Sequence, residues 1–447
     1  MIKSHQIDMT QGAIFPKLLE FSVPLIFSSI LQLLFNAADI VVVGRFAGDN
    51  SLAAVGSTGS LINLLVNLFM GLSIGTNVLA ANYFGQKNKN KLQDTVHTSM
   101  LISVISGIIL TIIGVIFTTP ILEFMQTPEE VLKLASIYLR IYFYGITSSM
   151  IYNFGSALLR AQGDTKRPLL ILLLSGIVNI ILNLIFVINF KLDVAGVAYA
   201  TVISQTISAI IVVIILLKED NGFKLNLKKL SINPHIFAKL VKIGVPAGFQ
   251  GIMFSFSNII IQSAINSFGP ILIAGNSAAI SLEGFVYTSM NGFSQGALTF
   301  TSQNLGAGKK DRIKKVVIIS QFSIIVIGLV LGWLGILFDN QLLSIYSKSS
   351  DVINAGKIRV FVIFSTYFLC GIMDAMANSI RGCGHSLLPA IVTIFCVCFF
   401  RIFYLATFFR IPQFHSPFYI FISYPVSWFI AWIIHLICFI VIFKKIK

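Results

Sequence analysis

Twelve stretches of this chain each run for about 20 residues or more with few charges, and a soluble fold cannot hide so many. They cover residues 18–44, 52–81, 96–119, 132–158, 168–190, 194–217, 240–266, 271–300, 316–345, 353–380, 387–410 and 416–443. About 20 apolar residues in a helix cross ~30 Å of hydrocarbon. In lipid only helices and closed barrels satisfy their own backbone, and runs this long and continuous are helical rather than alternating. The expectation is an all-α polytopic membrane protein with twelve transmembrane helices. Composition agrees: of 447 residues 56% are hydrophobic and only 11% charged, with a mean hydropathy of +0.88. The first run is too long for a signal-peptide core and lacks a small-residue cleavage motif, so no cleavage is expected.

A net charge of +15 would suit a nucleic-acid partner, but its placement points elsewhere. With the N-terminus inside, one set of loops holds Lys3 and Lys17, Lys87/Lys89/Lys91, Arg160/Lys166/Arg167 and the lysines from Lys218 to Lys242. Lys309/Lys310/Arg312/Lys314/Lys315, Arg381 and Lys444/Lys445/Lys447 fall on the same side. Basic loops stay cytoplasmic, so both termini are expected inside, in a cell inner (cytoplasmic) membrane, and no nucleic acid is needed. The five cysteines (Cys370, Cys383, Cys396, Cys398, Cys438) lack metal-ligand spacing and read as free thiols, and the six histidines, from His5 to His435, form no ligand cluster.

The halves repeat. Lys17-LLEFSVP to Pro24 resembles Lys239-LVKIGVP to Pro246 at an offset of 222, and Asn36 meets Asn258 at the same offset. Gly71 and Gly75 meet Gly292 and Gly296 at 221, as Arg160, Gly163 and Pro168 meet Arg381, Gly384 and Pro389. Two parallel six-helix lobes follow, residues 1–220 and 239–447, joined by a cytoplasmic linker at 221–238. An even helix number per copy gives a pseudo-twofold along the membrane normal.

Against this apolar background three acids lie well inside helices: Asp39, Glu283 and Asp374. An ionised carboxylate at mid-membrane costs roughly 2.5–3.5 kcal/mol on insertion scales, so such residues usually face a polar interior and serve function. Asp39 is read as the binder of a coupling ion; the competing reading makes it the structural partner of Arg140. Glu283 and Asp374 could equally pair with Arg359 or Arg401. Asn179 and Asn183, spaced i and i+4, share a helix face, and Thr201 follows on the next helix. With Asp39 they make an oxygen-rich set suited to Na⁺, whereas a lone buried carboxylate suits H⁺. The plainer reading is interhelical hydrogen bonding. At the repeat offsets Asp39 maps to Ile261, Asn179 to Phe400, Asn183 to Tyr404 and Ile180 to Arg401, so a fixed positive charge sits beside the matching place and the ion site belongs to the first half alone. Phe256, Phe285, Tyr287 and Met290 are candidates to line a cavity for flat substrates, although core or lipid contact explains each as well. No Walker A loop, HExxH or nucleophile elbow occurs, so neither a catalytic residue nor a cofactor other than the coupling ion is expected.

Together these motifs resemble the multidrug and toxic compound extrusion (MATE) family. The resemblance spans essentially the whole chain: Asp39-IVVVGR, LAAVGS at 52–57, GLSIGTN at 71–77, YFGQ at 83–86, RAQGDTKRP at 160–168, NIILN at 179–183, QNLGAGKKDRI at 303–313 and RGCGHSLLP at 381–389. It implies a bacterial transporter with two six-helix lobes around a central cavity, exchanging H⁺ or Na⁺ for organic, often cationic, compounds. Asp39 matches the family's first-helix Asp, implicated in ion coupling. Asn179, Asn183 and Thr201 fall where members of the DinF-like branch build a site around it, some with Asp in place of Asn183. The helix-seven Glu of the NorM-like branch falls on Phe254, so the chain reads as closer to the DinF-like branch.

The resulting expectation is an ion-coupled multidrug exporter working by alternating access as a monomer in the bilayer. Its coupling ion, H⁺ or Na⁺, would sit at Asp39, Asn179, Asn183 and Thr201, the candidate Na⁺ site, with Glu283, Asp374, Asn36, Asn258, Met290 and Arg401 as candidates for the substrate cavity. The alternative is a flippase for a lipid-linked precursor or polysaccharide, kept open by Arg140, Arg359 and Arg401. An embedded enzyme has no catalytic constellation to support it.

Overall fold

Each apolar run is helical in the computed structural model, which describes residues 6–125 and 127–446; Lys3, His5 and Lys447 lie outside the described residues. The first repeat contains α1 (Ile14–Phe46), α2 (Asp49–Gly85), α3 (Lys89–Phe124), α4 (Glu129–Ala161), α5 (Lys166–Leu184) and α6 (Asp193–Lys218). The second contains α7 (Pro234–Asn266), α8 (Pro270–Gly306), α9 (Lys310–Leu337), the short α10 (Asp339–Ser344), α11 (Ser350–Thr366), α12 (Phe368–Gly382), α13 (Leu387–Thr393), α14 (Phe400–Ala406) and α15 (Pro417–Lys445). Among the described residues ten helices are long and apolar enough to cross a membrane, counting the last turns that prolong α5 and those that join α13 to α14. The pair α11–α12, bent by 47° at Tyr367, makes an eleventh span. The expected span in α4 falls short of that apolarity: the helix runs for 33 residues but is more polar, with Tyr142, Ser149 and Asn153 along one face.

Local chemistry explains where the runs end. The expected span 316–345 stops at Leu337, and the rest forms α10. Three corresponding turns in the two repeats reverse through a left-handed residue: Gly48 and Gly269, Lys87 and Gly308, Gly163 and Gly384, each pair 221 apart. Glycine takes that conformation without a Cβ clash, so five of the six positions carry it.

Packing follows the paired small residues seen in the sequence. On α2, a Cβ at Gly71 would lie 2.3 Å from the Gly244 carbonyl oxygen, and one at Gly75 would lie 2.7 Å from that of Leu240. Two backbones touch here because Gly71-x-x-x-Gly75 faces Gly244-x-x-x-Gly248, the small-residue contact by which helices associate in lipid. In the second repeat Gly292 and Gly296 of α8 meet Ser22, Ile26 and Leu18 of α1.

By its contacts the chain forms two units. Of the described residues, one takes Gln6–Asp8 and Phe27–Gly248; the other takes Met9–Ile26 and Phe249–Ile446. The changeovers at Phe27 and Phe249 are 222 apart, like the repeats. Within the first unit the linker before α7 is tied to α3: His97 Nε2 accepts from the Asn226 amide at 3.0 Å, and Asn233 Nδ2 donates to Asp94 at 2.9 Å. Arg167 joins it by bridging Asp164 and Glu219. Within the second unit, Arg312 donates to three backbone carbonyls of the N-terminal segment, those of Met9 (3.0 Å), Gln11 (2.8 Å) and Gly12 (2.8 Å).

The α2–α7 contact leaves no room for a methyl group. Gly71→Ala is expected to cost about 1–3 kcal/mol and to lower the melting temperature of the detergent-solubilised protein, whereas Gly56→Ala, whose Cβ would meet nothing within 4 Å, leaves it unchanged. Equal melting temperatures would refute the contact.

Candidate functional site

In the first unit, five helices turn polar residues toward one chamber of about 350 Å³. On α1, Gln32, Asn36 and Asp39 lie at i, i+4 and i+7 and so share a face. Ser175 and Asn179 do the same on α5, and Thr201, Ser204 and Ser208 on α6; α2 adds Asn67 and α4 adds Tyr142, Ser149, Tyr152 and Asn153. No Lys or Arg is among the residues that line it. Asp39 therefore sets the sign of the field. A cavity of this size, with Phe35, Tyr142 and Tyr152 as apolar surface, has the dimensions of a small-molecule site.

Asp39 is held through one amide. Asn183 Nδ2 donates to Asp39 Oδ1 and also reaches Asn179 Oδ1 at 3.2 Å. Asn179 Nδ2 approaches Thr201 Oγ1 at 3.4 Å, and the Thr201 hydroxyl donates to the Val197 carbonyl at 3.0 Å. Asn179 and Asn183 are buried. Asn183 Oδ1 is buried with no hydrogen-bond partner, an oxygen lone pair left open beside a carboxylate. Arg140 donates to Thr119 at 3.0 Å rather than to Asp39, so the carboxylate is tied to an amide and no arginine neutralises it. The set can accept a proton on Asp39 or offer oxygens to a small hard cation.

The remaining candidates are placed differently. Asn36 lines the chamber. In the second unit, Glu283 on α8 accepts from Arg359 on α11, with Nη2 at 2.8 Å from Oε2, and Arg359 Nη1 donates to Asn276 at 2.8 Å. This pair is buried. Asp374 accepts from the Tyr287 hydroxyl at 3.0 Å. Met290 is buried against Gly328 and Gly371, Asn258 is exposed, and Arg401 is buried under Tyr424. Asp39, Asn179, Asn183 and Thr201 thus come together; Glu283, Asp374, Met290 and Arg401 lie in the other unit.

A helical bundle of this span count, with a polar, acid-bearing chamber inside one repeat, has the build of a membrane transporter. The MatE family matches it twice, over residues 24–185 and 246–407, and the chain belongs to that family. The probable multidrug resistance protein YoeA of Bacillus subtilis (strain 168) is 29% identical over 384 residues, covering 84% of this chain and 83% of its own. The multidrug export protein MepA of Staphylococcus aureus (strain MSSA476) is 22% identical, with 84% and 83% covered. An outward-facing multidrug resistance MATE family transporter of the MOP superfamily shares the fold at a TM-score of 0.91 and 21% identity, covering 100% of this chain and 99% of that one. A MOP superfamily transporter from Pyrococcus furiosus Vc1 does so at 0.92 and 20%, covering 99% of both.

The two matches begin and end 222 residues apart, in keeping with a duplicated sequence. π-helical segments fall at Ile185–Asn189 after α5 and at Ile394–Phe399 between α13 and α14.

Sequence reasoning missed the polar face of α4, together with Gln32, Asn67 and Gln205. The signal was available: Tyr142, Ser149 and Asn153 lie at i, i+7 and i+11, the period of one helix face.

Removing one partner of a buried ion pair leaves the other uncompensated. Glu283→Ala is expected to destabilise the protein by about 3–5 kcal/mol, and the double change Glu283→Met with Arg359→Met by clearly less. Thermal unfolding in detergent checks both; a Glu283→Ala protein as stable as wild type would contradict the pairing.

Proposed function

We propose that the chain is a secondary active multidrug exporter of the cytoplasmic membrane, exchanging H⁺ or Na⁺ for amphipathic organic, often cationic, compounds. The observation that carries this reading is the unneutralised Asp39 in the polar chamber, hydrogen-bonded to Asn183 and close to Asn179 and Thr201. A carboxylate there attracts an organic cation and a coupling ion alike, and both cannot be held at full strength together. Competition for one negative charge links the movement of the two. Names borne by relatives, a probable multidrug resistance protein and a multidrug export protein, point the same way.

In this scheme the two six-helix lobes, residues 1–220 and 239–447 joined by the linker 221–238, expose the chamber alternately to either side of the membrane, with both termini in the cytoplasm. A single chain suffices. Coupling requires that ion and substrate prefer different states, since a ligand with equal affinity for both shifts nothing. An ion arriving from outside neutralises Asp39 and releases the cation; loss of the ion inside restores the charge that captures the next one. The side-chain oxygens of the four residues, with Asn183 Oδ1 unengaged, suit Na⁺, and Asp39 alone suffices for H⁺.

Ethidium efflux from vesicles under separately imposed Na⁺ and pH gradients tests this reading. Wild type is expected to respond to at least one gradient, and Asp39→Asn, which keeps the shape and removes the charge, to lose the response. Drive by Na⁺ that is also lost in Thr201→Val would assign Na⁺ to the four-residue set; drive by pH alone that survives Thr201→Val would assign H⁺ to Asp39. Gradient-driven efflux undiminished in Asp39→Asn would overturn the proposal.

A further inference from the structure

In the second unit a buried cation has no counter-charge. The Arg401 side chain is 1% exposed, and its Nε donates to Ser427 Oγ at 2.9 Å. Its guanidinium carbon lies 4.1 Å from the centre of the Tyr424 ring, 5.5 Å from that of Trp428 and 5.8 Å from that of Phe254. No carboxylate among the described residues forms a salt bridge with it. Its ionisable neighbours are Tyr424, Cys370, Cys398 and Arg359. The acids of this unit are engaged elsewhere: Glu283 with Arg359 and Asp374 with the Tyr287 hydroxyl.

A guanidinium cannot escape the cost of burial by losing its proton. Rings above it return about 0.5–2 kcal/mol each, and they act on the faces of the group, leaving the edge N–H groups unanswered. Arg401 Nη2 is buried without an acceptor, and so is Nε1 of Trp428, the ring that faces it. Two strong donors on touching side chains, one of them charged, therefore lack what each requires, in a region where an unmet donor is costly. The missing group is an acceptor carrying negative charge. With the aromatic rings covering the guanidinium faces, it must fit at an edge, which selects a small ion over an organic acid.

We propose that Arg401 and Trp428 form an anion site in the second repeat that takes a halide-sized monovalent anion, chloride in a cell, with Arg401 Nη2 and Trp428 Nε1 as its donors. The first unit would then hold a cation beside Asp39 and the second an anion beside Arg401. The site does not depend on the identity of the coupling ion at Asp39, nor on the transported compound.

The test is a titration of the purified protein in detergent with sodium chloride and with sodium bromide at constant ionic strength, gluconate replacing the halide, read by melting temperature and followed by crystals grown in bromide. A ligand that binds only the folded state raises its melting point. Wild type is expected to show a rise that saturates with either halide, Trp428→Phe a rise needing several-fold more halide, and Arg401→Gln none. Anomalous scattering is expected to place bromide within hydrogen-bond distance of Arg401 Nη2. If Arg401→Gln does not fold, the Trp428→Phe shift and the bromide position carry the test. A melting temperature indifferent to halide, a rise that grows with concentration without saturating, or bromide found only elsewhere would each overturn the proposal.

Discussion

Hydrocarbon offers no hydrogen bonds, so every polar group carried into it must be answered by another part of the same chain. Helices answer the backbone. The side chains are answered in two ways that divide the molecule. In the chamber of the first unit the answers are neutral: amides and hydroxyls surround a single carboxylate and leave its charge standing. In the second unit Glu283 is bound to Arg359, Asp374 to a tyrosine hydroxyl, and Arg401 lies under three rings. The chamber keeps its charge available for exchange; Glu283 and Arg359 spend theirs on each other.

The helices repeat, but the polar side chains they carry do not. The register of the copies is kept by backbone constraints, the left-handed turn residues and the touching glycines, which are indifferent to what other side chains do. Function diverges where the backbone is least constrained by its neighbours.

Much of this was legible from the sequence, because the membrane simplifies the physics. Long apolar runs have one reading, a carboxylate inside them is conspicuous, and paired glycines at a constant offset betray a duplication. Asp39, Asn179, Asn183 and Thr201 could be singled out because they are the wrong residues for lipid. The polar face of α4 could not be seen with the same ease, since a helix that mixes Tyr, Ser and Asn with aliphatic residues looks merely less apolar until its neighbours show which way each face points. Pairing was less legible still. Glu283 had two candidate arginines and Asp39 one, and only packing distinguishes Arg359 from Arg401, or sends Arg140 to Thr119. The bend at Tyr367 was hidden because neither a proline nor a change in apolarity marks it, whereas the polar Asp339-Asn340-Gln341 did mark the break after Leu337 and the span 316–345 ran past it.

The exchange of leading segments between units bears on how the chain is made. Met9–Ile26 leaves the ribosome well before the groups that receive it within its unit, Asn304 and Arg312, which follow about 300 positions later. Until they are translated, a stretch carrying three basic-side-chain acceptors and an apolar face has no home, and its unit cannot close around it. The first unit likewise awaits the start of α7 after its own six helices have been inserted. Neither unit can close at the translocon as its own helices emerge, and late steps of assembly join segments that are made far apart in time.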